Sequence, residues 1–204
     1  MGKLMYFADP MCSWCYGFAP EISKVKLHFQ DKLEFHLVMG GLRPFGKETM
    51  VHIAEFLRHH WDDVNQRSGQ AFRYEILKET DMVYDTEPPS RAVVVMQELK
   101  PLSAFAFFED VQKAFYFENR NMGNLATYTN LAKKYNVKAS VFGQSFQDEE
   151  IKQKTLERFT YARHLGVSVF PTTVLENNDR LHLLARGYME AELIIERADN
   201  LLNS

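Results

Sequence analysis

The chain has 204 residues, 46% of them hydrophobic and 25% charged, with a formal net charge of −3. That is the balance of one sizeable globular domain, or of a small domain carrying a large insertion. The slight acidic excess leaves no basic footprint for nucleic acid, and no apolar run reaches the length that crosses a bilayer, so neither partner is expected.

Leu4-Met5-Tyr6-Phe7-Ala8 reads as a short apolar strand. Asp9-Pro10 ends it too early for the apolar region of a secretory leader, and no small-residue cleavage site precedes the cysteines, so a cytoplasmic chain is expected. Cys12-Ser13-Trp14-Cys15 follows. Phe18, Ile22, Val25 and Phe29 then recur at helical spacing, with Pro20 inside the pattern as a kink. Leu33–Met39 alternates as a second strand, and Gly40-Gly41 closes it. The stretch from about residue 43 to 163 has helical texture, with helices expected at Glu48–Gln66, Ser90–Lys100, Ser103–Phe117, Leu125–Tyr135 and Asp148–Leu165. Glu87-Pro88-Pro89-Ser90 reads as a break, with a helix starting at or just after Ser90. Asp148 reads as an N-cap with Glu149 and Glu150 in the first turn behind it. Thr172–Leu175 and Leu181–Ala185 flank Asn177-Asn178-Asp179, the chemistry of a hairpin turn. After Gly187 a closing helix carries Leu193, Ile194, Ile195, Ala198, Leu201 and Leu202. The order is βαβ, a helical block, then ββα: an α/β fold whose single sheet draws strands from both ends of the chain.

Only two cysteines are present, and two residues separate them. That is too few for the disulfide framework of a small secreted domain. A zinc site needs about two further ligands, and the adjacent His59-His60 diverge around a helix, so no metal is expected. Cys12 falls just before a helix and Cys15 in its first turn. Free backbone N–H groups and the helix dipole favour a thiolate there, and the thiolate is the species that attacks a disulfide. Cys15 is then placed to attack the mixed disulfide. Trp14 supplies an apolar wall beside the reactive sulfur or simply packs. Ser90 and Arg91 read as a helix N-cap and a solvated arginine rather than as groups facing the cysteines. Phe105, Phe107, Phe108, Phe115, Tyr116 and Phe117 read as mostly core.

The Cys-x-x-Cys after a first strand, Pro20 five residues later, and Val169-Phe170-Pro171-Thr172 together resemble the thioredoxin superfamily. The large helical insertion before Pro171 resembles its DsbA-like branch, and Asp9-Pro10-Met11-Cys12-Ser13-Trp14-Cys15-Tyr16-Gly17 is similar to the FrnE-like members. The resemblance implies a thioredoxin-like domain from residues 1–43 and 163–204, with 44–162 as an inserted helical subdomain. It implies Cys12 as nucleophile, Cys15 as resolving thiol, and a cis peptide before Pro171 in a loop facing them. Ser13, Trp14, Phe170 and Pro171 would line the substrate's path, with backbone at Phe170 pairing with the substrate chain. No cofactor is implied beyond a redox-active Cys12–Cys15 disulfide, with glutathione an admissible co-substrate. The implied partners are polypeptide or small-molecule thiols and disulfides, and a reducing partner such as the thioredoxin or glutathione system. Ser13 stands where the family often has proline, and Phe170 is larger than the usual residue. Both positions influence redox poise, which spans about −270 to −120 mV on this fold, so the direction of the reaction stays open. Two other functions stay open beside the dithiol oxidoreductase or isomerase. One is a glutathione-dependent transferase or isomerase of the kappa or hydroxychromene-carboxylate type, whose members usually lack the second cysteine. The other is a polypeptide-binding module whose cysteines only sense redox state.

Overall fold

The computed structural model describes residues 2–203, and both ends of the chain build one four-stranded sheet. Met1 and Ser204, the outer limits of the expected discontinuous domain, lie outside the described residues. Strand β1 (Gly2–Ala8) pairs in parallel with β2 (Leu33–Met39) and antiparallel with β3 (Thr172–Asn177). Strand β4 (Arg180–Arg186) completes the order β2-β1-β3-β4. Parallel neighbours need a crossover, and α1 (Ser13–His28) supplies it. Leu4–Ala8 of β1 is buried throughout, which is why it reads as an unbroken apolar run instead of an alternation. The β3–β4 hairpin turns on Asn178 and Asp179, with φ of 50° and 57°, the two left-handed residues that a tight two-residue turn requires. Asn177 extends the strand rather than the turn.

The two faces of β1 are covered by different parts of the chain. Phe7 stacks on Tyr161 of α7 (Glu149–His164) at 6.1 Å, and the Tyr161 hydroxyl donates to Met5 Sδ at 3.4 Å. Tyr6 points the other way, to Phe18 of α1 at 5.8 Å and Phe108 at 6.1 Å. Phe108 belongs to a helix spanning Ala104–Tyr116. The closing helix, Ala191–Leu202, packs beside α1. In chain order the helices between β2 and β3 are α2 (Met50–Ser68), α3 (Glu87–Leu99), α4 (Ala104–Tyr116), α5 (Leu125–Ala132), α6 (Ala139–Gln147) and α7. The closing helix is α8.

Two expectations about the insertion are corrected. Helix α3 starts at Glu87, not at Ser90, because Pro88 and Pro89 sit in the first turn, where a helix makes no use of the N–H that proline lacks. The Glu87 N–H is instead taken by Asp85 Oδ1 at 2.9 Å. Ser90 is therefore inside the helix and fully buried, not an N-cap. Arg91 is not solvated: it bonds Glu87 Oε2 at 2.9 Å and the Phe146 carbonyl at 3.1 Å, with its guanidinium 4.2 Å from the Phe146 ring centroid. Helix α6 was not anticipated. Only Phe142 and Phe146 of it are buried, too few to mark a helical period. Pro20 lies within α1, as expected. It leaves the Tyr16 carbonyl without a helical N–H, and the Gln70 side chain fills that place at 3.1 Å.

Candidate active site

Cys12 is the N-cap of α1, with φ −89° and ψ 113°. Its sulfur accepts the backbone N–H of Cys15 at 3.4 Å, so a thiol occupies the position a serine or aspartate usually holds. The Cys15 N–H is one of the first-turn donors that have no partner within the helix, and the sulfur takes it up. The Cys12 thiol also donates to the Phe170 carbonyl at 3.5 Å. Phe170-Pro171 is a cis peptide, and the Pro171 carbonyl is held by the Gly187 N–H at 2.7 Å. Residues 158 positions apart in sequence therefore meet at the mouth of α1.

Cys12 retains 5% exposure and Cys15 none, and both are free thiols. Burial pushes the Cys15 thiol well above the usual range, and the Cys12 sulfur beside it adds to the shift. Ser13 and Trp14 are half-buried, with the Trp14 ring 6.3 Å from Tyr188. A groove of about 640 Å³ opens in front of Cys12, with apolar walls that include Trp14, Ile53, Phe56 and Phe170, and with Ser13, Arg43, Glu48, His60, Tyr84 and Ser168 as its polar members. Ser90 and Arg91 do not line it. His60, weighed above only as a metal ligand, belongs to this groove. Among the described residues no group of three His, Cys, Asp or Glu side chains gathers to hold a metal.

Three supporting residues escaped the sequence reading. Asp9 is fully buried; its Oδ1 accepts the Met11 N–H at 2.9 Å and its Oδ2 the Leu42 N–H at 2.7 Å. It thereby ties the loop before Cys12 to the loop after β2. Burial pushes its carboxyl up to about 6, against the opposing pull of those two hydrogen bonds. The buried Tyr84 hydroxyl donates to the Met11 carbonyl. Gly40 makes room for Phe170: a Cβ there would fall 2.0 Å from Phe170 Cε1. In the sequence Asp9 read as a strand stop and as the first residue of the segment similar to the FrnE-like members, and neither reading gave it a role of its own.

The chain matches the family model described as Thioredoxin over residues 5–196. It belongs to the thioredoxin family. A solved structure from Nitrosomonas europaea, described as a candidate protein disulfide isomerase, is 34% identical and aligns at a TM-score of 0.91, covering 99% of this chain and 98% of that one. The cytosolic disulfide reductase DsbM from Pseudomonas aeruginosa is 24% identical at a TM-score of 0.82, over 98% of both chains, and a second structure of it, with GSH, aligns at 0.76. The fold of this thioredoxin-family chain is the DsbA-like one. The curated ClpXP adapter protein SpxH of Halalkalibacterium halodurans is 18% identical over 98% of this chain. The chain spans 67% of that protein's length and 58% of the Bacillus subtilis SpxH. No helix among the described residues is long and apolar enough to cross a membrane.

Proposed function

We propose that this chain is a cytoplasmic dithiol–disulfide oxidoreductase of the reductase or isomerase type, with Cys12 as nucleophile and Cys15 as resolving thiol. The observation that carries the reading is the Cys12 sulfur at the N-terminus of α1, accepting the Cys15 N–H and facing the Phe170 carbonyl. A disulfide entering the groove meets the Cys12 thiolate, one S–S bond is exchanged for another, and one substrate sulfur leaves. Once Cys12 has no proton to donate, the Phe170 carbonyl is free to accept a backbone N–H from the substrate. Cys15 then attacks Cys12 and releases the second substrate sulfur, leaving a Cys12–Cys15 disulfide. The apolar walls of the groove suit a polypeptide or a small disulfide. The likeness to a cytosolic reductase, also seen with GSH, supports work in the reducing direction with glutathione as the reducing partner.

The test is insulin reduction with glutathione as reductant. Cys12→Ser abolishes turnover, and Cys15→Ser accumulates a mixed disulfide on Cys12. Full activity in Cys12→Ser overturns the assignment. Glutathione conjugation that survives loss of Cys15 would point instead to a transferase.

A further inference from the structure

Between β2 and α2 the chain runs as a loop that brings Leu42, Arg43 and Glu48 to the groove in front of Cys12. The loop is anchored along its length. The Leu42 N–H goes to Asp9 Oδ2 at 2.7 Å and the Arg43 N–H to Thr86 Oγ1 at 3.0 Å, while the Thr86 N–H returns to the Arg43 carbonyl at 3.2 Å. The Phe45 N–H goes to Asp85 Oδ1 at 2.7 Å, and the Tyr84 N–H to the Glu48 carbonyl at 2.8 Å. The Arg43 guanidinium pairs with the Glu48 carboxylate across the base of the loop. Gly46 passes so close to Tyr84 that a Cβ there would fall 2.2 Å from the Tyr84 carbonyl oxygen.

Held in this way, Phe45 takes a φ of 60°, the left-handed conformation that glycine or asparagine adopts readily and a bulky side chain does not. Its ring gains nothing from the fold in return: it is 59% exposed and lies outside the hydrophobic core. An apolar ring on a strained, pinned loop beside a reactive groove is placed to meet something outside the chain. Phe45 is not among the groove's lining residues, but Arg43, two positions away, is. The Phe45 Cα therefore lies at most about 7 Å from that of a lining residue. Leu42 and Phe56, which do line the groove, are exposed as well, so its apolar surface continues to the rim on this side. A groove of about 640 Å³ takes a small ligand whole. A disulfide the size of oxidised glutathione can react at Cys12 without reaching Phe45, whereas a polypeptide held by its cysteine has to leave the groove across a rim.

We propose that Phe45 is a specificity residue for polypeptide substrates, packing against an apolar side chain that lies a few residues from the reacting cysteine as the substrate leaves the groove over this loop. The inference rests on the dithiol reading of Cys12 and Cys15, and it narrows the substrate class to disulfides on polypeptides with apolar flanks. Phe45 touches neither sulfur and takes no part in the exchange. Its contribution is contact area that only a substrate long enough to reach it can use, and that area separates long substrates from short ones.

The experiment uses the full chain, reduced beforehand, in single turnovers with an excess of each of three disulfides. These are oxidised glutathione and the disulfide-linked dimers of two short peptides with a central cysteine, one flanked by leucine and phenylalanine and the other by serine. Loss of the Cys12 and Cys15 thiols is followed by quenching and alkylation, and each rate is divided by that of the same disulfide with dithiothreitol. The parent reacts about tenfold faster with the apolar dimer than with the serine dimer. Phe45→Asn removes most of that preference and leaves oxidised glutathione and the serine dimer at the parent rates, while Phe45→Leu keeps the preference. Phe45→Asn also unfolds at the parent's urea midpoint or above it, because asparagine tolerates this backbone and no packing is lost. Equal parent rates for the two dimers, or the full preference in Phe45→Asn, overturns the proposal. So does an equal slowing of all three disulfides or a lowered urea midpoint in Phe45→Asn, either of which marks a structural role. Failure of the parent to be oxidised by any of the three would instead overturn the dithiol reading.

Discussion

The buried carboxyl of Asp9 makes a prediction whose sign depends on pH. Its folded value of about 6 lies above the ordinary 3.8 because burial outweighs the two backbone hydrogen bonds it accepts. A shift of that size corresponds to about 3 kcal/mol between the two protonation states. Because the folded value is the higher one, folding takes up a proton. The stability this group contributes is fully present below 3.8 and is lost as pH rises through about 6. Asp9→Asn stays neutral at every pH and escapes that loss. Its amide oxygen can serve only one of the Met11 and Leu42 N–H groups, and its NH2 must face the other, at a cost of about 1–3 kcal/mol. The variant is therefore expected to be less stable than the parent near pH 4 and close to it near pH 8, the gap narrowing by about 2 kcal/mol between the two. Urea unfolding of both proteins at the two pH values measures the gap, and the other carboxylates cancel in the difference. A gap that does not change with pH would refute the assignment of a raised, proton-binding carboxyl to Asp9.

Two further perturbations test the packing beneath the site. Gly40→Ala drives a methyl into the Phe170 ring and should cost about 1–3 kcal/mol, with a fall in insulin reduction. Adding Phe170→Ala removes the obstruction, so thermal unfolding of the double variant should show less than the sum of the two single losses; a strictly additive result would sink the idea. Gln70→Ala deprives the Tyr16 carbonyl of its partner beside Pro20 and should cost about 1 kcal/mol in urea unfolding, with no change in Cys12 alkylation.

What was legible in the chain was whatever repeats locally. The buried run of β1, the alternation of β2, the hairpin at Asn178-Asp179 and the longer helices all announce themselves within a few residues. Errors arose where one local rule had two meanings. A Pro-Pro pair reads as a stop, yet in the first turn of α3 it costs nothing. Ser90 and Arg91 were misjudged with it, since moving the helix start by three residues turns a capping position into an interior one. Helix α6 buries two phenylalanines and little else, so it left almost no period to detect.

The site divides along the same line. The Cys-x-x-Cys and its place at a helix start are local, and they were readable with their chemistry. The approach of Phe170-Pro171 to Cys12 joins positions 158 residues apart, and only the family resemblance anticipated it. Gly40 shows why. Gly40-Gly41 reads as the end of a strand, but the position has to be small because Phe170, the residue that departs from the family habit, lies against it. The departure and its accommodation lie on different loops, and neither explains itself alone. Asp9 works in the same way: an acid after a strand reads as a turn, and only burial between Met11 and Leu42 makes it a tie that holds two loops around the cysteines. The two thiols are then distinguished by environment rather than by sequence. Cys12 receives an N–H at a helix end, whereas Cys15 is fully buried, which favours its protonated form. That asymmetry supports an order of action in which Cys12 attacks first and Cys15 second.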